Sequence, residues 1–169
     1  VGNTKFDLVF DDSNKNKIIE LQKIFDNRKI ITFASTRDGE EEILLSNIDL
    51  NQEVIYLIIP RHHERFLELE LLLIKNNINY CKRSDNTRVN PETKVVIGDS
   101  MGEMLAYYAL SYLVVIGGSF KDFGGQNPIE AIYMGKPVII GNSMFNFSDV
   151  AINSVKFGCA IQIASAVDL

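Results

Sequence analysis

The residues able to hold a charged small molecule fall into three clusters, each directly after an apolar run. The first is Pro60-Arg61-His62-His63-Glu64-Arg65-Phe66, which follows EVIYLII. A guanidinium at the end of such a run, beside the start of a helix, can offer a phosphate two parallel hydrogen bonds. A surface ion pair with a nearby acid is the competing role for Arg61. His62 and His63 are adjacent, so they do not share a helix face and make a poor grip on one metal ion. The second cluster is Asp99-Ser100-Met101-Gly102-Glu103, after KVVI. Gly102 lets the backbone approach a ligand closely. The unpaired N–H groups at the start of the next helix suit a small flat ligand such as a pyrimidine. An ordinary turn capped by Asp99 or Ser100 would use the same residues.

The third cluster is the densest. Gly117-Gly118-Ser119-Phe120 follows LVVI and leads to Gly124-Gly125-Gln126-Asn127-Pro128-Ile129-Glu130-Ala131. Asn127 is a good N-cap and Pro128 suits the first helical position. With side chains stripped away at Gly124 and Gly125, this predicts a bare helix N-terminus open to a phosphate. Glu130, one turn in, can accept hydrogen bonds from two ribose hydroxyls, or it completes a capping box with Asn127.

Other chemistries find little support. There is no G-x-x-x-x-G-K-[ST] loop, and no G-x-G-x-x-G opens the first helix. Cys81 and Cys159 are isolated from each other and from His62 and His63, so no zinc motif forms, and they read as reduced thiols. A net charge of −5 disfavours nucleic acid or an anionic membrane as a general partner. An anionic ligand therefore needs a local site. No apolar stretch reaches the roughly 18 residues of a membrane span, and no signal peptide is visible. The start at Val1 and the abrupt end at Leu169 suggest a piece of a longer chain.

The elements that must position these clusters alternate regularly. Residues 1–16 read as a connector with one short strand around Phe6, Leu8, Val9 and Phe10, and residues 17–169 as one domain. A helix is expected over 17–26, from its apolar spacing. Strands are expected at 29–35, 53–59, 79–83, 94–97, 113–116 and 137–140. Helices are expected at 39–50, 64–75, 103–112, 128–134 and 148–158. Short apolar strands alternating with helices predict an α/β fold, a Rossmann-like open parallel sheet with flanking helices. In such sheets ligands bind beyond the carboxyl ends of the strands, where all three clusters fall. The acids Glu40, Glu41 and Glu42 read as a solvated first helical turn complementing the helix dipole.

Beyond these physical readings, the chain resembles the Kdo (3-deoxy-D-manno-octulosonic acid) transferases. The resemblance rests on Gly117-Gly118-Ser119-Phe120 through Glu130, Gly135-Lys136-Pro137-Val138 and Met144-Phe145-Asn146-Phe147. It extends to Ala34-Ser35-Thr36-Arg37-Asp38-Gly39-Glu40-Glu41, Pro60-Arg61-His62, Met101-Gly102-Glu103 and Gly2-Asn3-Thr4-Lys5-Phe6-Asp7. It implies the C-terminal half of a GT-B glycosyltransferase that moves Kdo from CMP-Kdo to a lipid A precursor, lipid IVA, in lipopolysaccharide biosynthesis. It implies CMP contacts at Pro60, Arg61, Met101, Gly102, Glu103, Asn127, Pro128, Ile129 and Glu130. A donor loop would involve Gly118, Ser119, Gly124, Gly125 and Gln126. The resemblance also implies no metal, and a glutamate base, acceptor surface and membrane contact in an N-terminal domain outside this chain. The full protein would work at the cytoplasmic face of the bacterial inner membrane, and this piece alone would be soluble and inactive. Two other functions fit the same residues: a GT-B donor domain for a UDP-sugar, and a non-catalytic Rossmann-like binding module.

Overall fold

A computed structural model of the protein describes residues 12–169. The expected strand at residues 6–10 and the segment 2–7 lie outside the described residues.

Seven parallel strands form one sheet in the order β3-β4-β2-β1-β5-β6-β7. They are β1 (Lys29–Thr36), β2 (Val54–Pro60), β3 (Tyr80–Lys82), β4 (Val95–Ile97), β5 (Leu113–Ile116), β6 (Val138–Ile140) and β7 (Ala160–Gln162). The connecting helices are α1 (Asp12–Phe25), α2 (Glu40–Leu45), α3 (Arg65–Lys75), α4 (Met104–Leu110), α5 (Ile129–Tyr133) and α6 (Ser148–Lys156).

The inner strands β2, β4 and β5 are buried on both faces, which is why they read as continuous apolar runs. Every residue of β2 is buried. Its side chains alternate between two cores. Ile55, Leu57 and Ile59 pack with Leu21, Ile24 and Phe25 of α1 and with Ala106 and Tyr107 of α4. Val54, Tyr56 and Ile58 pack with Leu44 of α2 and Leu69 and Leu73 of α3. A third cluster gathers β5, β6, α5 and α6 around Tyr108, Ala131 and Ala151.

The strand order reverses in two places. The chain leaves β1 toward β2, then returns to β1's other side as β5. It also skips past β2 to lay down β3, then inserts β4 between them. Each reversal parts the connections above adjacent strand ends and opens a crevice at the carboxyl edge.

Several expected boundaries move. α1 starts at Asp12, so residues 12–16 belong to the first helix. α2 ends at Leu45 instead of residue 50. There the Asn47 N–H turns to the Leu44 carbonyl at 3.0 Å and its side-chain Nδ2 donates to the Ile43 carbonyl at 2.8 Å, taking the place of the next helical N–H donor. α5 is five residues long, shorter than the helix expected over 128–134. The edge strand β7 was not expected. It has three residues, only the first of them buried, so it carries no apolar run to betray it.

Candidate nucleotide site

The reversal between β2 and β4 opens a cavity of 440 Å³ lined by residues of both strand ends, including Pro60, Arg61, Ser100, Met101, Gly102 and Glu103. That volume is ordinary for a small-ligand pocket. The two clusters proposed from the sequence at these strand ends are thus brought together. Arg61 is anchored through its backbone, its N–H donating to the Thr36 carbonyl at 2.9 Å. Its guanidinium is exposed and makes no ion pair among the described residues. Of the two roles weighed for Arg61, pairing with a surface acid is not the one it takes. Arg65, one turn on, takes that role: it contacts Asp38 at 2.7 Å and Glu41 at 2.8 Å.

The second cluster is held from beneath. Lys17 of α1 donates to the Gly102 carbonyl at 2.7 Å. Asp99 accepts from the Ser84 N–H at 2.8 Å and its hydroxyl at 2.5 Å, so it does not cap α4. Ser100 does not cap the helix either, because its hydroxyl is bonded to the Glu103 carboxylate. Glu103 is buried and faces inward. Arg83 reaches it through Nε at 3.1 Å and Nη2 at 2.9 Å, and Tyr107 donates to it at 2.9 Å. Burial opposes the charge on Glu103, but hydrogen bonds from Ser100, Arg83 and Tyr107 outweigh it and hold the carboxyl below its usual range. Its carboxylate is therefore fully engaged within the protein. Met101 stands out at 85% exposure, and Gly102 has a φ of 71°.

Ser35, absent from the residues weighed for contact with a ligand, also lines this cavity. It is left-handed (φ 58°) at the bulge where the β1–β2 register shifts between Ala34 and Thr36. Such strain in a non-glycine residue persists only where its surroundings dictate it. Gly117 of the neighbouring strand end does so: a Cβ there would lie 2.6 Å from the Ser35 carbonyl oxygen.

The third cluster divides. Glu130 is coupled to the cavity through Arg61: burial raises the Glu130 carboxyl and the Arg61 charge pulls it back down. No hydrogen bond engages the Glu130 side chain among the described residues, and no capping box forms with Asn127. Asn127 instead sits one position before the N-cap, Pro128, and its Oδ1 accepts from the Ile129 N–H at 3.0 Å. The residues 127–130 do not line the cavity itself.

The glycine loop is not the bare ligand cradle expected. The Gly125 N–H donates to Gly118 at 2.7 Å and the Gln126 N–H to Gly117 at 3.0 Å, so the loop is zipped onto itself. A Cβ on Gly124 would lie 2.3 Å from Asn146 Nδ2, and one on Gly125 2.3 Å from Met144 Sδ. These glycines make room for the segment 144–146. Ser119 is buried, donating to the Ile116 carbonyl at 2.5 Å and accepting from the Gly141 N–H at 2.8 Å.

Glu40 and Glu41 also depart from expectation. Both are buried, at 0% and 1% exposure, and only Glu42 is solvated. Glu40 accepts from the N–H groups of Arg37 at 2.8 Å, Gly118 at 2.6 Å and Phe120 at 2.9 Å, tying the loop after β1 to the loop after β5. Glu41 accepts from Thr36 Oγ1 at 2.7 Å, and burial raises its carboxyl against the pull of Thr36 and Arg65. Acids in a first turn serve solvent and buried neighbours equally well, so only the fold distinguishes the two. No cluster of metal-binding side chains occurs among the described residues. No described helix is long and apolar enough to cross a membrane.

Comparison with known proteins supplies the biological frame. No family model matches the chain. It is 36% identical to the 3-deoxy-D-manno-octulosonic acid transferase of Haemophilus influenzae over 172 aligned residues, which cover 99% of this chain and 40% of that protein. It is 38% identical to the enzyme of the same name from Bordetella pertussis, over 82% of this chain and 34% of that protein. The chain therefore spans less than half the length of these relatives. A crystal structure of the C-terminal CMP-Kdo binding domain of WaaA from Acinetobacter baumannii superposes with a TM-score of 0.83 at 28% identity, over 92% of this chain and 83% of that domain. The seven-stranded parallel sheet and these relatives converge on one placement: the chain is a homologue of Kdo transferases, and its fold matches the Rossmann-like C-terminal domain of WaaA.

Proposed function

We propose that this chain is the donor-binding domain of a transferase that moves Kdo from CMP-Kdo to a lipid A precursor. The observation that carries the reading is the exposed, unpaired Arg61 guanidinium at a cavity that Met101 and Gly102 also line. Arg61 takes the phosphate through charge-assisted hydrogen bonds. The backbone at Met101 and Gly102 takes the pyrimidine. Glu130, free of protein partners and within the field of Arg61, takes the ribose hydroxyls. The similarity to a CMP-Kdo binding domain supports cytidine as the nucleoside.

On this reading the base that activates the acceptor hydroxyl, and the surface that meets the lipid, belong to the part of the relatives that this chain does not span. The full protein acts at the cytoplasmic face of the inner membrane, and this chain alone binds the donor without transferring it.

The test is thermal stabilisation by CMP, with UMP as the control. At 100 times its dissociation constant, a ligand specific for the native state adds about 2.7 kcal/mol. A clear shift with CMP, smaller with UMP and reduced to about a third in Arg61→Ala, is the expected result. A larger shift with UMP would point to a UDP-sugar transferase, and no response to either nucleotide, alone or within the full-length protein, would overturn the reading.

A further inference from the structure

The buried network under the Met101-Gly102 turn controls which hydrogen-bonding groups the cavity shows to a base. Glu103 is a carboxylate, and so accepts only. Arg83 holds it in that state from below through two hydrogen bonds, and Arg83 is itself buried and further tied to Glu20 at 2.9 Å and Asn86 at 3.1 Å. Two hydroxyls lie against the same carboxylate, those of Ser100 and Tyr107, with their oxygens 2.5 Å apart. Ser100 and Tyr107 also line the cavity.

The two hydroxyls have two protons between them. Glu103 draws both inward, either directly or with one hydroxyl donating to the other. Their oxygens then have only lone pairs left for the cavity. A wall of that kind welcomes a donor and repels an acceptor. Cytosine carries an amino donor on its ring where uracil carries a carbonyl acceptor.

We propose that Glu103, oriented by Arg83, makes the Ser100 and Tyr107 hydroxyls acceptor-only toward the cavity, and that this selects an amino-bearing pyrimidine over uracil. Ser100 is the specificity-determining contact, while Arg83 and Glu103 are positioning residues. The inference rests on the nucleotide reading given above and deepens it.

The experiment compares CMP and UMP affinities, by calorimetry, for the unaltered chain and for Ser100→Ala, Tyr107→Phe and Glu103→Gln. Ser100→Ala removes an acceptor, so its preference for CMP over UMP falls about 10-fold, the size of one lost hydrogen bond. Glu103→Gln keeps the shape but adds an N–H donor. One hydroxyl can then turn its proton toward the cavity, so CMP weakens while UMP tightens. Fold loss alone would weaken both nucleotides together, and that equal loss in Ser100→Ala and Glu103→Gln would overturn the proposal. If the unaltered chain bound CMP and UMP equally, the selectivity proposal would fall and the nucleotide site would stand. If it bound neither, within the full-length protein as well, the functional reading and this inference would fall together.

Discussion

The carboxyl edge of the sheet has two walls that looked alike as sequence and differ as structure. The wall after β5 is rich in glycine, and nearly every polar group in it is answered from within the protein. Gly118 and Phe120 donate to Glu40, Gly125 and Gln126 donate back to the loop, and Ser119 bonds to Ile116 and Gly141. The wall after β2 and β4 is poorer in glycine but leaves the Arg61 guanidinium unanswered and Met101 exposed. Glycine content therefore marks where segments pass close to one another. Unanswered polar groups mark where a ligand fits. The same contrast recurs one helical turn apart, where Arg65 is tied to acids and Arg61 is not.

If this division holds, stability and ligand affinity respond to different residues. The largest expected effect is on the closed wall. Glu40→Ala strands three backbone N–H groups, one buried and two partly buried. Each such group costs about 1–3 kcal/mol, so we expect a loss of about 4 kcal/mol. For a chain of this size that is a fall of about 10 °C in melting temperature. An unchanged melting temperature would show that water can reach the loop, and the two walls would no longer differ.

Arg65→Met comes next. It leaves Glu41 buried, at 1% exposure, without its cation. Breaking one side of a buried pair costs about 3 kcal/mol, which denaturant unfolding would register. Glu41→Gln in the same background should restore part of the loss, because the stranded charge is what costs most. Arg61→Ala should behave in the opposite way. Stability should stay within about 0.5 kcal/mol, as for other exposed positions. CMP affinity should fall about 30-fold, the worth of a hydrogen bond to a charged group. A drop in stability equal to that of Arg65→Met would erase the distinction between the two arginines.

The sheet was legible in the sequence because buried parallel strands write themselves as apolar runs. EVIYLII and LVVI locate β2 and β5 to within a residue. β7 was not legible, because Ile161 and Gln162 face solvent and leave no run to read. Arg61 and the Met101-Gly102 turn could be picked out because they directly follow strands that are easy to find. Arg83 and Glu40 were missed as long-range partners for a different reason. The Arg83–Glu103 pair spans 20 residues and the Glu40–Gly118 bond spans 78, and no local periodicity connects residues so far apart. The distance in sequence that hides such pairs is also what lets them pin separate loops together.

The smallest expected effect concerns Glu130, where the open wall meets the closed one. Burial raises its carboxyl above the usual range, and the Arg61 charge partly offsets this. A carboxyl whose folded pKa is raised binds its proton more tightly in the native state than in the unfolded one. Its contribution to stability is then fully present below the unfolded pKa and lost as pH rises through the folded value. Glu130→Gln abolishes that titration. The stability of the unaltered chain relative to the variant should therefore decline from mildly acidic pH upward, across the window between the ordinary glutamate pKa and the raised one. Arg61→Ala should move the Glu130 titration still higher, which carboxyl NMR can follow directly. If Arg61→Ala left that titration in place, the arginine and the glutamate would not share a field. Phosphate and ribose would then have to be held by independent sites, and the open wall would end at Arg61.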